Sequence, residues 1–516
     1  MRTSLLAILF AVSSLLSAQS KLQLIGHLPY APLSLAGCWH YVDSTGNEWG
    51  LIGTSGGLSI VDLSVPSVPV ERFSVPGLAS NWREVRTWGG FAFVGSEAAG
   101  SGITIVDLRS LPDTIYSKVW KGDGAYAGLI DRSHTVQAEA GYLYIFGGGN
   151  ITNGAVIADL SDPWNPHIVG KYSLNYVHDG FIRGDTLWTS EIYLGQFGVV
   201  NIADKTDPQF IISTPTPGAF NHNTGLADDS KSLFTTDEKF GSPLGSFDVS
   251  DLNNITLLDR YFPSQKPTFM VHNVRVFGNY LVNPSYGGQL TIVDATYPDN
   301  LIETAWAIMG TSLVWDADPY LPSRIIFATA KNEGLFIFKP TYQHAAWLHG
   351  QVTDATTGLA LDNAHVFVLT TSNADTTLTT GLYKTGADSS GIYTVQVIRD
   401  GYNTQTISNV VLSSGEITTL NIALTPTAIS TNQPGTDAGI HVWPTIFSDH
   451  LTVEVPIDSR YSSAQLLDVQ GTVVLRTRLS GPVTEIKLTK NLPKASYLLQ
   501  LLGENGQVQT FRIIKE

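Results

Sequence analysis

The sequence predicts an all-β chain: a seven-bladed β-propeller followed by two small β-sandwich domains. Three observations carry that expectation. A glycine, a β-branched run, an aspartate and a turn recur from Asp62 through Asp107, Asp159, Asp204 and Asp248 to Asp294, at intervals of 45, 52, 45, 44 and 46 residues. Between recurrences the chain breaks into short apolar runs parted by glycine turns, as the strands of a meander do. No segment carries a helical period, and a repeat of this length with four strands is what a propeller blade requires.

The copies read GLSIVDLSVPSVP, GITIVDLRSLP, GAVIADLSDPWNP, GVVNIADKTDP, GSFDVSDLNN and GQLTIVDATYPDN. A seventh, GLFIFKP (Gly334–Pro340), keeps the apolar pattern without the aspartate. The aspartates suit acceptors of backbone N–H groups in the turn after each third strand. The stretch His272–Asp294 holds three strands parted by glycine turns, and NLIETAWAIMG supplies a fourth. The seventh copy stops after three strands at Phe338, whereas KLQLIGHLPY (Lys21–Tyr30) resembles a fourth strand with none before it. That N-terminal strand is expected to complete the last blade and so remove an open sheet edge.

At 516 residues the chain exceeds one small core, and 43% hydrophobic residues, 15% charged residues and 48 glycines describe a folded, turn-rich protein. A net charge of −15 without a basic stripe argues against nucleic acid as a partner. Residues 1–18 read as a secretory signal peptide: Arg2, an apolar run Leu5–Leu16, then the small residues Ser17 and Ala18 before the expected cut. No cysteine stands at the cut to take a lipid anchor. No later stretch reaches the roughly 18 uninterrupted apolar residues of a spanning helix. The mature chain is therefore expected outside the cytoplasm, secreted or on the outer cell surface. Its single cysteine, Cys38, can form no internal disulfide and reads as a small buried hydrophobe.

The IVDLS…P beat resembles that of the LVIVD-repeat propellers. The order of CWHYVDSTGNEWGLIGTSGGLSIVDLS, SNWREVRTWGGFAFVGSEAAGSGITIVDL, VHDG, NHNTGLADDSKSLFTTDE, VHNVRVFGNY and EGLFIFKP is similar to that of the choice-of-anchor B family of bacterial surface proteins. The resemblance spans about Lys21–Tyr342. It implies a secreted propeller, assigned here to residues 19–342, with a C-terminal attachment that differs among relatives, and it implies no reaction.

Residues 343–426 resemble a carboxypeptidase-regulatory-like β-sandwich, with Gly350, Val352, Asp354, Gly358, Leu361, Ala364 and Val366 on its opening pattern. The resemblance implies a structural spacer, and no His-x-x-Glu zinc pair occurs in it. Residues 427–436 are polar and rich in breakers, as a linker is. Residues 437–516 are similar to the type IX secretion sorting domain of Bacteroidetes-type bacteria at Pro444, Phe447, Gly471, LPKASYLLQL and the terminal IIK. Thr445 and Ile446 replace the usual Asn-Pro, and Ala495 the usual Gly. The resemblance implies that the type IX machinery reads this domain as an address.

Aligning the first strand of each repeat brings Trp39, Trp82, His134, His178, His222, His272 and Trp315 to one position. The end of the second strand brings Ser55, Glu97, Gly149, Glu191, Glu238, Ser285 and Lys331 to another. Antiparallel pairing puts both sets on one face of the disc, near the channel mouth, with Asp179, Asp237 and Asp316 close by. Three readings are open. The ring is packing, with its polar nitrogens bonded to backbone. Alternatively it is a recognition face, in which Trp39, Trp82, Trp315, Asp179 and Glu97 hold an extracellular glycan or protein. The third reading is a site for one divalent metal (zinc, iron or manganese) on His134, His178, His222, His272, Glu191 and Glu238. A metal there could acidify a water, making the chain a metal-dependent extracellular hydrolase. The expectation adopted is the recognition face, a binding or adhesion platform with no cofactor firmly implied.

Other matches read as structure. GTSGG (Gly53–Gly57) has the spacing of a nucleophile elbow but sits between two strands, as a hairpin turn does. GGGN (Gly147–Asn150) lacks the helix that phosphate cradling needs, and DAD (Asp316–Asp318) lacks an EF-hand continuation.

Overall fold

The computed structural model describes residues 18–265, 269–310, 313–427, 439–488, 492–503 and 506–516. The signal segment 1–18, except Ala18, and the linker 427–436, except Thr427, lie outside them. The chain divides into two compact units, residues 1–427 and 428–516.

In the first unit seven antiparallel sheets follow one another along the chain, each a meander from an innermost to an outermost strand. The innermost strands are Leu35–Val42, Arg83–Trp88, Thr135–Glu139, Asp179–Arg183, Asn221–Leu226, the broken pair Met270–Val271 and Arg275–Phe277, and Val314–Asp318. They define blades one to seven. Blade seven takes its outermost strand from the other end of the propeller: Leu22–Leu28 runs antiparallel to Gly334–Pro340, with Leu22 opposite Pro340 and Leu28 opposite Leu335. A short strand, Ala18–Ser20, adds a further edge to blade six against Ile302–Ile308.

The core lies between blades rather than within them. Phe93 and Ile105 of blade two pack with Val136, Ile145 and Val156 of blade three. At the closing seam Leu335 and Ile337 of blade seven pack with Leu35, Cys38, Ile52 and Leu63 of blade one. Leu22, 1% exposed, joins Val314, Phe336 and Phe338 and ties the closing strand to blades six and seven.

The recurrent aspartates do what their position demands. Asp62, Asp107, Asp159, Asp248 and Asp294 each accept the N–H two residues on, at 2.7–3.1 Å, turning the chain out of the third strand. In blade four that place belongs to Asn201, which accepts from Ala203 at 2.9 Å, and not to Asp204, which turns the chain one step later. The GTSGG stretch is a hairpin between Glu48–Thr54 and Gly57–Asp62. Gly57 has φ +149°, and a Cβ there would fall 2.1 Å from the Val75 carbonyl oxygen.

Two further sheets, residues 346–424, complete the first unit as a β-sandwich around Leu348, Val366, Tyr383, Val395 and Leu424. It docks on blade six. Asp294 accepts the Ala345 N–H at 2.8 Å, Asn300 donates to the Thr385 carbonyl at 3.0 Å, and Trp347 packs with Ile302 and Tyr297. The second unit is another sandwich, a three-stranded and a five-stranded sheet enclosing Phe447, Leu451, Leu466, Tyr497 and Ile513.

Leu22→Ala is expected to destabilise the first unit by about 2–5 kcal/mol in urea denaturation, because it empties a filled site on the closing strand. Exposed Gln23 on the same strand should tolerate alanine to within about 0.5 kcal/mol.

Candidate functional site at the channel mouth

Five of the seven aligned side chains meet as a continuous arc around the bore. Ring centroids run His134–His178 3.9 Å, His178–His222 4.4 Å, His222–His272 4.1 Å and His272–Trp315 5.0 Å. The local cause is visible at two of them. His222 and Trp315 are the extra residues of β-bulges in their innermost strands, between Asn221 and Asn223 and between Val314 and Asp316. A bulge leaves one residue unpaired and re-aims its side chain.

Blades one and two depart from the alignment. In blade one the bulge falls between Leu35 and Cys38, so Ala36 takes the place assigned to Trp39. The Ala36 carbonyl accepts Thr329 Oγ1 at 2.6 Å, as the His272 carbonyl accepts Thr236 Oγ1 at 2.8 Å. Trp39 lies further along the strand, away from the mouth, under the Arg86 guanidinium at 4.1 Å and against Tyr320. Because Ala36 is small, Trp315 reaches across blade one and donates Nε1–H to Glu84 of blade two at 2.8 Å. Trp82 stands outside the bore, 42% exposed. The Lys331 ammonium lies 5.5 Å from its ring and 4.9 Å from that of Trp315.

The arc is divided by how its nitrogens are used. His272 is saturated: Nδ1 donates to the Trp315 carbonyl at 2.6 Å, and Nε2 accepts the Tyr286 hydroxyl at 2.7 Å. His134 Nδ1 binds the Glu97 carboxylate at 2.5 Å, and that bond holds Glu97 below the usual carboxylate range. His178 Nδ1 donates to the His222 carbonyl at 3.2 Å. His222 Nδ1 is buried without a well-formed hydrogen bond. Burial drives the pKa of His178, His222 and His272 well below that of free imidazole, favouring the neutral ring at each.

Of the carboxylates, Glu238 joins this group: its oxygen and one nitrogen each of His178 and His222 lie within 4.8 Å of one another. Burial raises its pKa. Glu191 is placed elsewhere, fully buried and occupied by donors from Asn175 (2.9 Å), Thr189 (3.0 Å) and Gln196 (2.7 Å). Asp179 is buried in the bore rather than at the rim, accepting Asn223 Nδ2 at 2.6 Å and the Gly180 N–H at 2.7 Å.

Behind the arc sits a buried ionic layer that sequence reasoning missed. Arg275 donates to both oxygens of Asp316 at 2.7 Å, Asp316 being fully buried. Glu84 and Arg86 lie beside this pair, and Asp318 accepts His40 Nδ1 at 2.8 Å. The DAD carboxylates are thus consumed internally. The signal in the sequence is the run Arg83, Glu84 and Arg86, three charged residues within one six-residue innermost strand, and all three are buried.

Burial, with the nearby Asp316 charge, pushes Glu84 up to about 7. Its neutral form is the one the fold favours, so its contribution is complete below the unfolded pKa of 4.5 and is lost as pH rises towards 7. Urea denaturation at pH 5 and pH 8 should show Glu84→Gln gaining on the parent between the two, by up to about 3 kcal/mol. An unchanged difference would mean that Glu84 ionises freely.

Comparison with known proteins agrees with this architecture. Residues 51–76 and 133–173 match the LVIVD repeat, and residues 348–425 match the carboxypeptidase regulatory-like domain. No curated protein matches the sequence. Among solved structures the chain is similar to the Myceliophteria thermophila Cps50 (Swd1) beta-propeller domain, at 10% identity and TM-score 0.45, covering 62% of this chain and 100% of that one. It is also similar to YCF48 bound to D1 peptide, at 12% identity and TM-score 0.43, covering 62% and 98%. Likenesses of this degree say nothing of activity or partner. The chain carries LVIVD repeats on a β-propeller and, after it, a carboxypeptidase regulatory-like domain.

Proposed function

We propose that this protein is an exported binding platform that holds a protein partner across the channel-mouth face. The carrying observation is an apolar rim. The loops of this face project Leu33, Leu78, Trp82, Leu129, Tyr193 and Phe240, which are 40–72% exposed. Each lies between an outermost strand and the next innermost one, or between a second and a third strand, and antiparallel order brings such loops to one side of the disc. Exposed apolar groups around a polar centre mark interaction surfaces. The centre here is Lys331, Glu97, His134 and Glu238.

A glycan is supported less well. Sugar recognition needs open aromatic faces in a row, whereas Trp315 is 5% exposed and Trp39 lies beyond the mouth, leaving Trp82. The aliphatic rim suits the side chains of a protein surface. The docked sandwich sits on blade six, through Asp294, Asn300 and Trp347, and so does not cover the rim loops of blades one to five.

A photo-cross-linking residue at position 193, on protein displayed by the producing cells, should yield a discrete protein adduct. The adduct should disappear with Leu78→Ser and Phe240→Ser together. The same probe at Val65, exposed on the opposite face, should yield none. Glycan-array binding lost on Trp82→Ala, with no protein adduct, would replace this reading by a carbohydrate platform.

We read the second unit as the export address of this platform. Its support is the resemblance of residues 437–516 to type IX sorting domains and its separation as a compact unit of its own. Truncation after Thr436 should leave the chain in the periplasm. Unchanged surface delivery would refute the assignment.

A further inference from the structure

The histidine arc is unequal. His272 has both ring nitrogens engaged, and His134 is held by Glu97. His178 and His222 are different. The Nδ1 of His178 donates to a backbone carbonyl, which leaves Nε2 as a free lone pair and fixes the ring. Metal-binding imidazoles are commonly oriented in this way by their second nitrogen. His222 turns its buried Nδ1 towards the His272 carbonyl without a well-formed hydrogen bond, as His178 turns its own towards the His222 carbonyl. Facing both is Glu238, half-buried at the mouth and fed from the loop after the second strand of blade five. Among the described residues this is the group of histidine, cysteine and acidic side chains whose donor atoms converge, within 4.8 Å of one another.

We propose that His178, His222 and Glu238 form a site for one divalent transition-metal ion of the zinc class. Two imidazole nitrogens and a carboxylate oxygen suit zinc and its neighbours rather than calcium or magnesium, which take oxygen donors. A tetrahedral ion with 2.0–2.1 Å bonds holds its donors about 3.4 Å apart, so binding draws the three inward by roughly 1 Å. Glu238, carried on a loop and hydrogen-bonded to Tyr286, supplies most of that movement by giving up this bond, and small rotations of the two packed imidazoles supply the rest. Three protein ligands leave a coordination position open. The site shares Glu238 with the docking face, but the two readings fail separately, since metal uptake is measured with no partner present.

The full chain, stripped with a chelator and then titrated with zinc by calorimetry, should take up one ion. Cobalt in its place should give the visible absorption of a low-coordinate nitrogen-and-oxygen site. Glu238→Gln should weaken zinc by at least ~100-fold, because even partners of ligands are worth 10–100-fold. His222→Ala should abolish uptake, and Asp113→Asn, at an exposed carboxylate in the loop before the outermost strand of blade two, should leave it unchanged. Should His222→Ala fail to fold, Glu238→Gln decides alone, being isosteric and half-buried. No uptake by the parent chain, or equal affinity in Glu238→Gln, overturns the proposal and leaves the arc as packing.

Discussion

A propeller stands or falls by the bond that closes its ring. Here that bond joins Leu22–Leu28 to Gly334–Pro340, strands more than three hundred residues apart in the chain. Without it the third strand of blade seven would present an unpaired edge, and the seam core around Cys38, Leu63 and Ile337 would lose one wall. The inter-blade cores then hold each sheet at a fixed angle to the next. Only when all seven are held do the innermost strands line a bore narrow enough to bring His134, His178, His222 and His272 into contact. Side chains far apart in sequence converge because the circumference is fixed.

The bore is layered. At the mouth lie the imidazoles, His178 and His272 bonded to backbone carbonyls and His134 to the Glu97 carboxylate. Deeper, Arg275 and Asp316 form a buried pair with Glu84 and Arg86 beside them. Such a pair adds little net stability, since desolvating two charges offsets most of their attraction, but it makes the geometry hard to vary. Trp315 links the layers, packing on His272 above and donating to Glu84 across the gap left by Ala36.

Much of this was legible in the residues themselves. The beat of about 45 residues is a consequence of one turn used repeatedly, and a turn that needs an acceptor writes Asp or Asn into the sequence. The alignment slipped where chemistry was equivalent but position was not: Asn201 performs the task read into Asp204, since either amide or carboxylate oxygen can accept the N–H. It slipped again at Trp39, because a bulge adds a residue without leaving a mark in composition. Glu191 and Glu238 looked alike as carboxylates ending a second strand. What separates them is whether neighbours such as Asn175 and Gln196 have already filled their lone pairs, and that is settled by contacts distant in sequence. The apolar rim was hidden for a different reason. A lone leucine or tyrosine in a glycine-rich turn carries no period, so only the face on which the loops gather reveals it.

The seam between blades seven and one contains the chain's one thiol. Cys38 is fully buried there, and burial pushes its pKa well above the ordinary value, so in the closed ring it neither ionises nor meets solvent. Alkylation chemistry therefore sees this protein only during the intervals when the first and last blades part. The clasp thus carries its own probe: at low reagent the rate at which Cys38 reacts follows the fraction of time the ring is open, and at saturating reagent it approaches the rate of opening itself.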